Sequence, residues 1–247
     1  MSVYYFTDIH GQYNLFRQVM KFCGDNKIIF GGDAIDRGKD GYRIMKELIN
    51  NPNVVYLKGN HEDMFAQVAE TINKNYNLDI SVNMPFLFSQ TEMIEDRLFV
   101  SYISNEGAST LKIWLAEGRP NNIIKKVKAL PLFYTYYDID FTHASITPND
   151  FEILINWPNE YVENQCLWSR DFMHDWLPNR FHIHGHTPTQ EKIGFNDVRP
   201  WLWGHKQRLD MDVGSFISHR VFVFDCDEYE IIGINENGIF DRYKLND

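Results

Sequence analysis

"FGGDAIDRG", residues 30–38, sets two aspartates three positions apart, follows them with an arginine, and brackets them with glycines. The apolar run "KIIF" (27–30) leads straight into it. Gly and Asp are ordinary turn residues, so a polar turn accounts for a lone G-D-x-x-D. The competing reading is a charged site at a strand end, where carboxylates and a guanidinium hold a cation and an anion together. The surrounding sequence decides between the two.

"VYYF" (3–6) and "VVYL" (54–57) are two further short apolar runs that read as strands. Residues 12–22 place Leu15, Val19 and Phe22 on one helical face, and Gly24 is a helix stop. "GYRIMKELINN" (41–51) places Ile44, Met45, Leu48 and Ile49 at helical spacing. "EDMFAQVAETI" (62–72) reads as a third helix, with acids in its first turn where the helix dipole favours them. Strand and helix alternating three times predict a βαβαβα unit with a mostly parallel sheet. Ligands bind at the carboxyl ends of the strands in such sheets. "DIHG", "GGDAIDRG" and "GNHED" follow the three strands at those ends, so three charged loops share one sheet edge. Coincident turns explain that poorly.

The second half is less regular. "NNIIKKVKAL" (121–130) is a helix, and "LFYTYYDIDFTHA" (132–144) is a hairpin whose second strand ends at His143. "RFHIHGHTP" (180–188) is a short strand running into a turn, and closing antiparallel strands are expected from residue 208 onward. Residues 73–104 have no clean period and are expected to form an insertion, or a cap near the site, within a single domain spanning 1–247.

Composition bounds the function. The chain has 247 residues, a net charge of −10 and one dense basic run, "KKVK" at 125–128. A general nucleic-acid or anionic-membrane binder needs a basic surface, so both are excluded as expected partners. No apolar stretch approaches the ~20 residues that span a bilayer. Cys23, Cys166 and Cys226 are odd in number and unpaired by spacing, which fits reduced buried thiols in a cytoplasmic protein. The chain opens directly on a strand and a motif, so no signal or transit segment is expected.

Divalent transition metals take His nitrogen and carboxylate or amide oxygen. Asp8 and His10, two apart, can point the same way from a strand end. Asp33 follows the second strand and Asn60 the third, and His143 and His186 follow strands in the second half. Six ligands suit two metals sharing one carboxylate, and exceed the three protein ligands of a catalytic zinc. His143 alone also reads as a histidine satisfied at a strand end. His182, His184 and His186 alternate and can share one side. His186 is preferred because Gly185 and Thr187-Pro188 frame it as a turn ligand, with His184 as the alternative.

"DIHG", "GDAIDRG", "GNHE", "HA" and "GHTP", in this order, resemble the calcineurin-like metallophosphoesterases, and more narrowly the bacterial and phage branch of the phosphoprotein phosphatases. The resemblance runs from about residue 3 to residue 216, with a poorly matched gap over 73–104. It implies an α/β fold, an αββα sandwich of two mixed β-sheets flanked by helices, with a dinuclear metal site at the strand ends. It implies that Asp8 and His10 bind one metal, that Asp33 bridges both, and that Asn60, His143 and His186 bind the second. His61 is then the general acid, oriented by Asp36, while Arg37 holds phosphate oxygens and Asn60 also faces substrate. Arg170, in "CLWSRDF", resembles the branch's second phosphate-binding arginine, although an aromatic-flanked arginine is also often a stacking residue. "DVGSF" (212–216) resembles the family's Asp-x-Gly strand.

Three departures stand out. Thr7 occupies a position usually held by glycine, "HAS" lacks the acid or glycine often found after "HA", and "NEGAST" (105–110) matches the family's Asn-Gly-Gly loop only loosely. The implied cofactor is two divalent ions, manganese foremost, with iron or zinc as alternatives. The implied activity is hydrolysis of phosphoserine or phosphothreonine by a hydroxide bridging the two metals, with a phosphorylated protein or small phosphoester as partner. The enzymatic rivals are a symmetrical dinucleoside tetraphosphate hydrolase, which usually departs from "DRG" and carries "GNHD", and a phosphodiesterase of cyclic nucleotides or RNA ends. A pseudophosphatase binding module is the non-enzymatic rival, and it predicts a missing ligand or acid where none is missing.

Overall fold

The computed structural model describes residues 2–75, 97–194 and 196–245. The first strands form as the apolar runs dictate: β1 (Val3–Phe6), β2 (Lys27–Phe30) and β3 (Val54–Tyr56), separated by helices α1 (Tyr13–Cys23) and α2 (Gly41–Asn50) and followed by α3 (Asn60–Asn75). β1 pairs parallel with β2, and β2 with β3. Helix α1 stops at Gly24, whose φ of 56° lies in the left-handed region that glycine enters freely.

Helices α4 (Arg97–Ser104), α5 (Ala108–Ala116) and α6 (Asn121–Lys128) come next. The hairpin β4 (Phe133–Tyr136) and β5 (Ile139–Thr142) follows, then α7 (Pro148–Asn156), α8 (Glu160–Trp168) and β6 (Phe181–His184). The chain closes with α9 (Gln190–Ile193), β7 (Trp201–Trp203), β8 (Arg208–Asp210), α10 (Ser215–Ser218), β9 (Arg220–Asp225), β10 (Glu230–Asn235) and β11 (Gly238–Lys244).

These strands make two mixed sheets, one of order β11-β10-β9-β1-β2-β3 and one of order β4-β5-β6-β8-β7. The closing strands are therefore not one antiparallel set: β8 runs parallel to β6 in the second sheet, and only β9–β11 complete the first.

Alternation along β1 and β2 builds the layers. Phe6, Ile28 and Phe30 pack under the helices, with Leu15, Val19, Phe65 and Trp114. Val3, Tyr5 and Ile29 point the other way, into a core shared with Phe141, Ile183 and Leu209 of the second sheet. Side chains two apart share a face of a strand, so one short apolar run serves two cores. A third cluster, with Phe151, Leu154 and Val162 of α7 and α8, covers the outer side of the second sheet. Helix, sheet, sheet, helix is the expected αββα order.

The stretch 73–104, expected to be an insertion or cap, is helical at both of its described ends. Residues 73–75 end α3, and residues 97–104 are α4, which buries Phe99 and Tyr102 in the main helical core; residues 76–96 of that stretch lie outside the described residues. Trp114 of α5 is fully buried and meets the Phe65 ring edge-on at 6.0 Å. Phe65 in turn lies 6.5 Å from Tyr102. This aromatic chain wedges α4 and α5 against α3. Trp114→Ala should therefore cost about 3–5 kcal/mol of stability. Urea unfolding checks it: a midpoint unchanged from wild type would show that α5 does not hold this core together.

Candidate metal centre

The loops after β1 and β2 run side by side. Asp8 N–H donates to Gly32 O (3.0 Å), His10 N–H to Asp33 O (3.0 Å) and Gly11 N–H to Ala34 O (2.9 Å). This ladder brings Asp8, His10 and Asp33 to one edge, where the strands run out. The loop after β3 is tied in by Glu62. Its buried carboxylate accepts from the backbone N–H groups of Asp33 (2.8 Å), Ala34 (2.9 Å) and Gly59 (3.0 Å), and from the Tyr56 hydroxyl (2.7 Å). Burial pushes the Glu62 carboxyl up to about 7, with Asp33 adding to the effect. The sequence reading gave Glu62 no role beyond its place in the motif. A Cβ at Gly59 would collide with the Asp33 carboxylate, which is why a glycine leads "GNHE".

The backbone at the site is strained. Asp8, His10, Asp33, Asp36, Arg37 and His186 all have positive φ, between 39° and 73°. Left-handed conformation costs a non-glycine residue energy and clusters at functional sites.

Asp33 is the shared centre. His10, Asp33 and His61 form one buried group with ligand atoms within 4.8 Å of one another, and Asp33, His143 and His186 form another. Asp33 Oδ2 lies 3.6 Å from His10 Nε2, and Asp33 Oδ1 lies 3.6 Å from His143 Nε2. Asp8 Oδ1 is 4.0 Å from His10 Nε2. Asn60 Oδ1 stands 2.9 Å from His143 Nε2 and 3.0 Å from His186 Nδ1. All six expected ligands thus converge. His184 does not join them: it is buried beside Asp210, Phe172 and Trp203, whereas His186 stands in the Asp33 group. His182 is occupied by the Thr142 hydroxyl (2.7 Å) and stacks on Trp176.

The protons on these imidazoles can be placed by their partners. A carbonyl only accepts, so His10 Nδ1–H donates to Ile35 O (3.0 Å) and His143 Nδ1–H to Gly31 O (2.9 Å). The Nε2 lone pairs then face inward. Burial holds both imidazoles below their usual range, reinforced at His10 by Arg37, so both stay neutral. His143 Nε2 and Asn60 Oδ1 are then two electron-pair donors at 2.9 Å, an arrangement that a cation between them relieves. Burial raises Asp8, and repulsion from Asp212 and Asp33 adds to it, while burial lifts Asp212 to about 6. Clustered buried carboxylates and inward lone pairs of mixed N and O character fit a pair of divalent cations.

Thr7, the departure before Asp8, donates its hydroxyl to Asp8 Oδ2 at 2.6 Å, so it braces the carboxylate where a glycine could not. His61 enters from the start of α3, where its backbone N–H donates to Asp33 Oδ1 (3.1 Å). His61 Nδ1 bonds Asp36 Oδ2 at 2.8 Å. Burial pulls the His61 imidazole down, but Asp33 and the Asp36 hydrogen bond more than offset it, so its proton is held tightly.

Asp36 is itself pinned from α4 and α5: the Tyr102 hydroxyl donates to Asp36 Oδ1 (2.9 Å), and Asp36 N–H donates to Thr110 Oγ1 (3.1 Å). Sequence reasoning missed Tyr102 and Thr110, since both come from stretches with no recognised pattern.

A cleft of about 590 Å³ opens beside His186. Arg37 and Arg170 line it, with Glu106, Glu191, Phe216 and Ile217. Asn105 and Glu106, left without a role by the sequence, lie on its wall, and Glu106 O accepts from Arg37 N–H at 3.4 Å. The two arginines differ. Arg170 Nη1 is 3.2 Å from Glu191 Oε2, and both side chains are half exposed. The Arg37 guanidinium lies over the Phe216 ring.

Known proteins are similar to this chain to differing extents. The serine/threonine-protein phosphatase 2 of Escherichia coli (strain K12) is 38% identical over 72 residues, 28% of this chain and 33% of that protein. The symmetrical bis(5'-nucleosyl)-tetraphosphatase of Buchnera aphidicola subsp. Schizaphis graminum (strain Sg) is 31% identical over 85 residues, 31% of each chain. The chain thus spans about a third of the length of these curated relatives. A crystal structure assigned as a diadenosine tetraphosphatase is similar in fold, with a TM-score of 0.62 at 12% identity over 94% of this chain and 92% of that one. The model of the calcineurin-like phosphoesterase family matches residues 1–190. By that match the chain belongs to the calcineurin-like phosphoesterase family.

Proposed function

We propose that the protein is a metal-dependent phosphomonoesterase that hydrolyses phosphoserine or phosphothreonine in proteins. The observation that carries the reading is Asp33 shared between two buried imidazole groups, with two arginines lining the cleft beside them. Asp8, His10 and Asp33 would hold one divalent cation, and Asp33, Asn60, His143 and His186 the other. When bound, such a pair supplies a nucleophilic water of lowered pKa and positive charge for the phosphoryl oxygens. Manganese is the proposed ion. Arg37 and Arg170 orient the phosphoryl group and add fixed positive charge as negative charge spreads in the transition state. His61 gives its Nε2 proton to the departing oxygen, while its Nδ1–H stays on Asp36. The proposal takes residues 1–247 as one domain, because the ligands come from both sheets. Three free, buried cysteines suit a cytoplasmic setting.

The charge of the cleft favours a single phosphoryl group over a polyphosphate. Its charged walls outside the ligand set, Arg37 and Arg170 against Glu106 and Glu191, sum to zero among the described residues. Four linked phosphates would need a more basic groove. Pro188, Val198, Phe216 and Ile217 offer an apolar flank that suits a peptide. The intact "DRG" and "GNHE" support the same choice. The match to a symmetrical dinucleoside tetraphosphatase favours the second reading. Rates on phosphopeptides, an aryl phosphate and a dinucleoside tetraphosphate, measured on one Mn²⁺-loaded preparation, decide between them. Phosphopeptides are expected to be turned over fastest. A faster tetraphosphate would make the second reading the correct one.

Asp33→Asn should lose both metals, since no other ligand is common to the two groups. Metal analysis reads this out directly: two tightly held ions in that variant would remove the bridging role. The acid assignment has its own signature. An alkoxide leaves poorly unless protonated, whereas an activated aryl oxide needs little help. A positioned acid contributes roughly 10²–10⁴ in rate. His61→Ala should therefore damage phosphopeptide hydrolysis far more than aryl phosphate hydrolysis, at unchanged metal content. Asp36→Asn should show the same selectivity more weakly. Equal losses on both substrates would mean that His61 does not serve as the acid.

A further inference from the structure

Arg37 meets conflicting demands. A phosphate-binding arginine must stay in place before substrate arrives, yet its N–H groups must remain unspent. A carboxylate partner would fix it but take up donors, as Glu191 takes one N–H group of Arg170. Among the described residues, no carboxylate lies within ion-pair range of Arg37. Its guanidinium carbon instead sits 4.7 Å from the centre of the Phe216 ring. The face of an aromatic ring attracts a cation without occupying the in-plane donors of a guanidinium.

The ring is itself anchored to the site. Phe216 belongs to α10, which follows Gly214 at a φ of 58°. Gly214 N–H donates to Asp212 Oδ1 at 2.8 Å, and the Ser215 hydroxyl donates to the backbone carbonyl of Asp8. The ring edge also faces His10, with centroids 6.2 Å apart. The platform under Arg37 is thus bolted to the loop after β1 that carries Asp8.

We propose that Phe216 is the positioning residue for Arg37: its ring holds the guanidinium over the cleft and leaves its N–H groups for the phosphoryl oxygens. The inference rests on the phosphoesterase reading for the role of Arg37. The "DVGSF" motif covers the position but does not assign its aromatic a partner, since Arg37 lies 179 positions away.

A mutant cycle on the full-length, Mn²⁺-loaded protein tests it, read by kcat/KM on an aryl phosphate and by calorimetric binding of inorganic phosphate. Phe216→Leu should lower kcat/KM and weaken phosphate binding, each by roughly 2- to 30-fold, the range of cation–π attraction. Phe216→Tyr, which keeps the ring face, should match wild type. In an Arg37→Ala background, Phe216→Leu should have no further effect on either readout. A full loss in that background would assign Phe216 to packing and overturn the proposal, as would wild-type behaviour of Phe216→Leu. Phe216→Met runs the same cycle if the leucine variant does not fold. Wild-type protein that binds phosphate but turns over no phosphoester would refute the functional reading instead, and the binding cycle would still judge Phe216.

Discussion

The site depends on one carboxylate standing between two sheets. Asp33 leaves β2 of the first sheet, and its two oxygens lie 3.6 Å from His10 on its own sheet and from His143 on the other. Holding both distances requires the sheets to keep a fixed spacing. The core between them, built from Tyr5, Ile29, Phe141, Ile183 and Leu209, supplies it. Each such side chain contributes about 1.5–3 kcal/mol when fully buried, and close packing resists compression. The Glu62 carboxylate then sets the last increments of position, by gripping the amides of Asp33, Ala34 and Gly59 from the neighbouring loop.

That arrangement has a cost in the backbone. Six site residues stand at positive φ, at about 1–3 kcal/mol each, less for Asp and His than for Arg. Buried acids raise the cost further, since Asp8 and Asp212 repel each other. A ligand that binds only the native state offsets such terms, and a divalent pair suits both the charge and the lone pairs. The ladder between the loops and the grip of Glu62 hold these conformations against relaxation.

The ligand set was legible because it is local to strand ends. "DIHG", "GDAIDRG" and "GNHE" each follow an apolar run of three to five residues, and a parallel sheet gathers such ends on one edge. The αββα order was read from resemblance rather than from periodicity. What was missed lacks a period. Helix α5 exposes only Lys112 and Ala116, because it packs on several sides, so no polar face announces it. In α4, the buried pair Phe99 and Tyr102 is too short a pattern to separate from a loop. Tyr102, Thr110 and Phe216 act through partners 66, 74 and 179 positions away, and no local signal encodes such a contact.

These distances divide the molecule into two kinds of part. The proposed ligands sit where strands end, so the fold itself fixes them. The cleft walls come from elsewhere: Glu106 from the turn after α4, Arg170 from the stretch after α8, Glu191 from α9, and Phe216 and Ile217 from α10. Glu106 and Glu191 lie outside the strands of both sheets, whereas Arg170 bridges to Ser145 and α10 is anchored at the Asp8 carbonyl. Loops on a rigid scaffold vary more freely than the scaffold. In the proposed reading, the choice of substrate would fall to the charge balance of the walls, here two arginines against two glutamates, and to the apolar flank beside them.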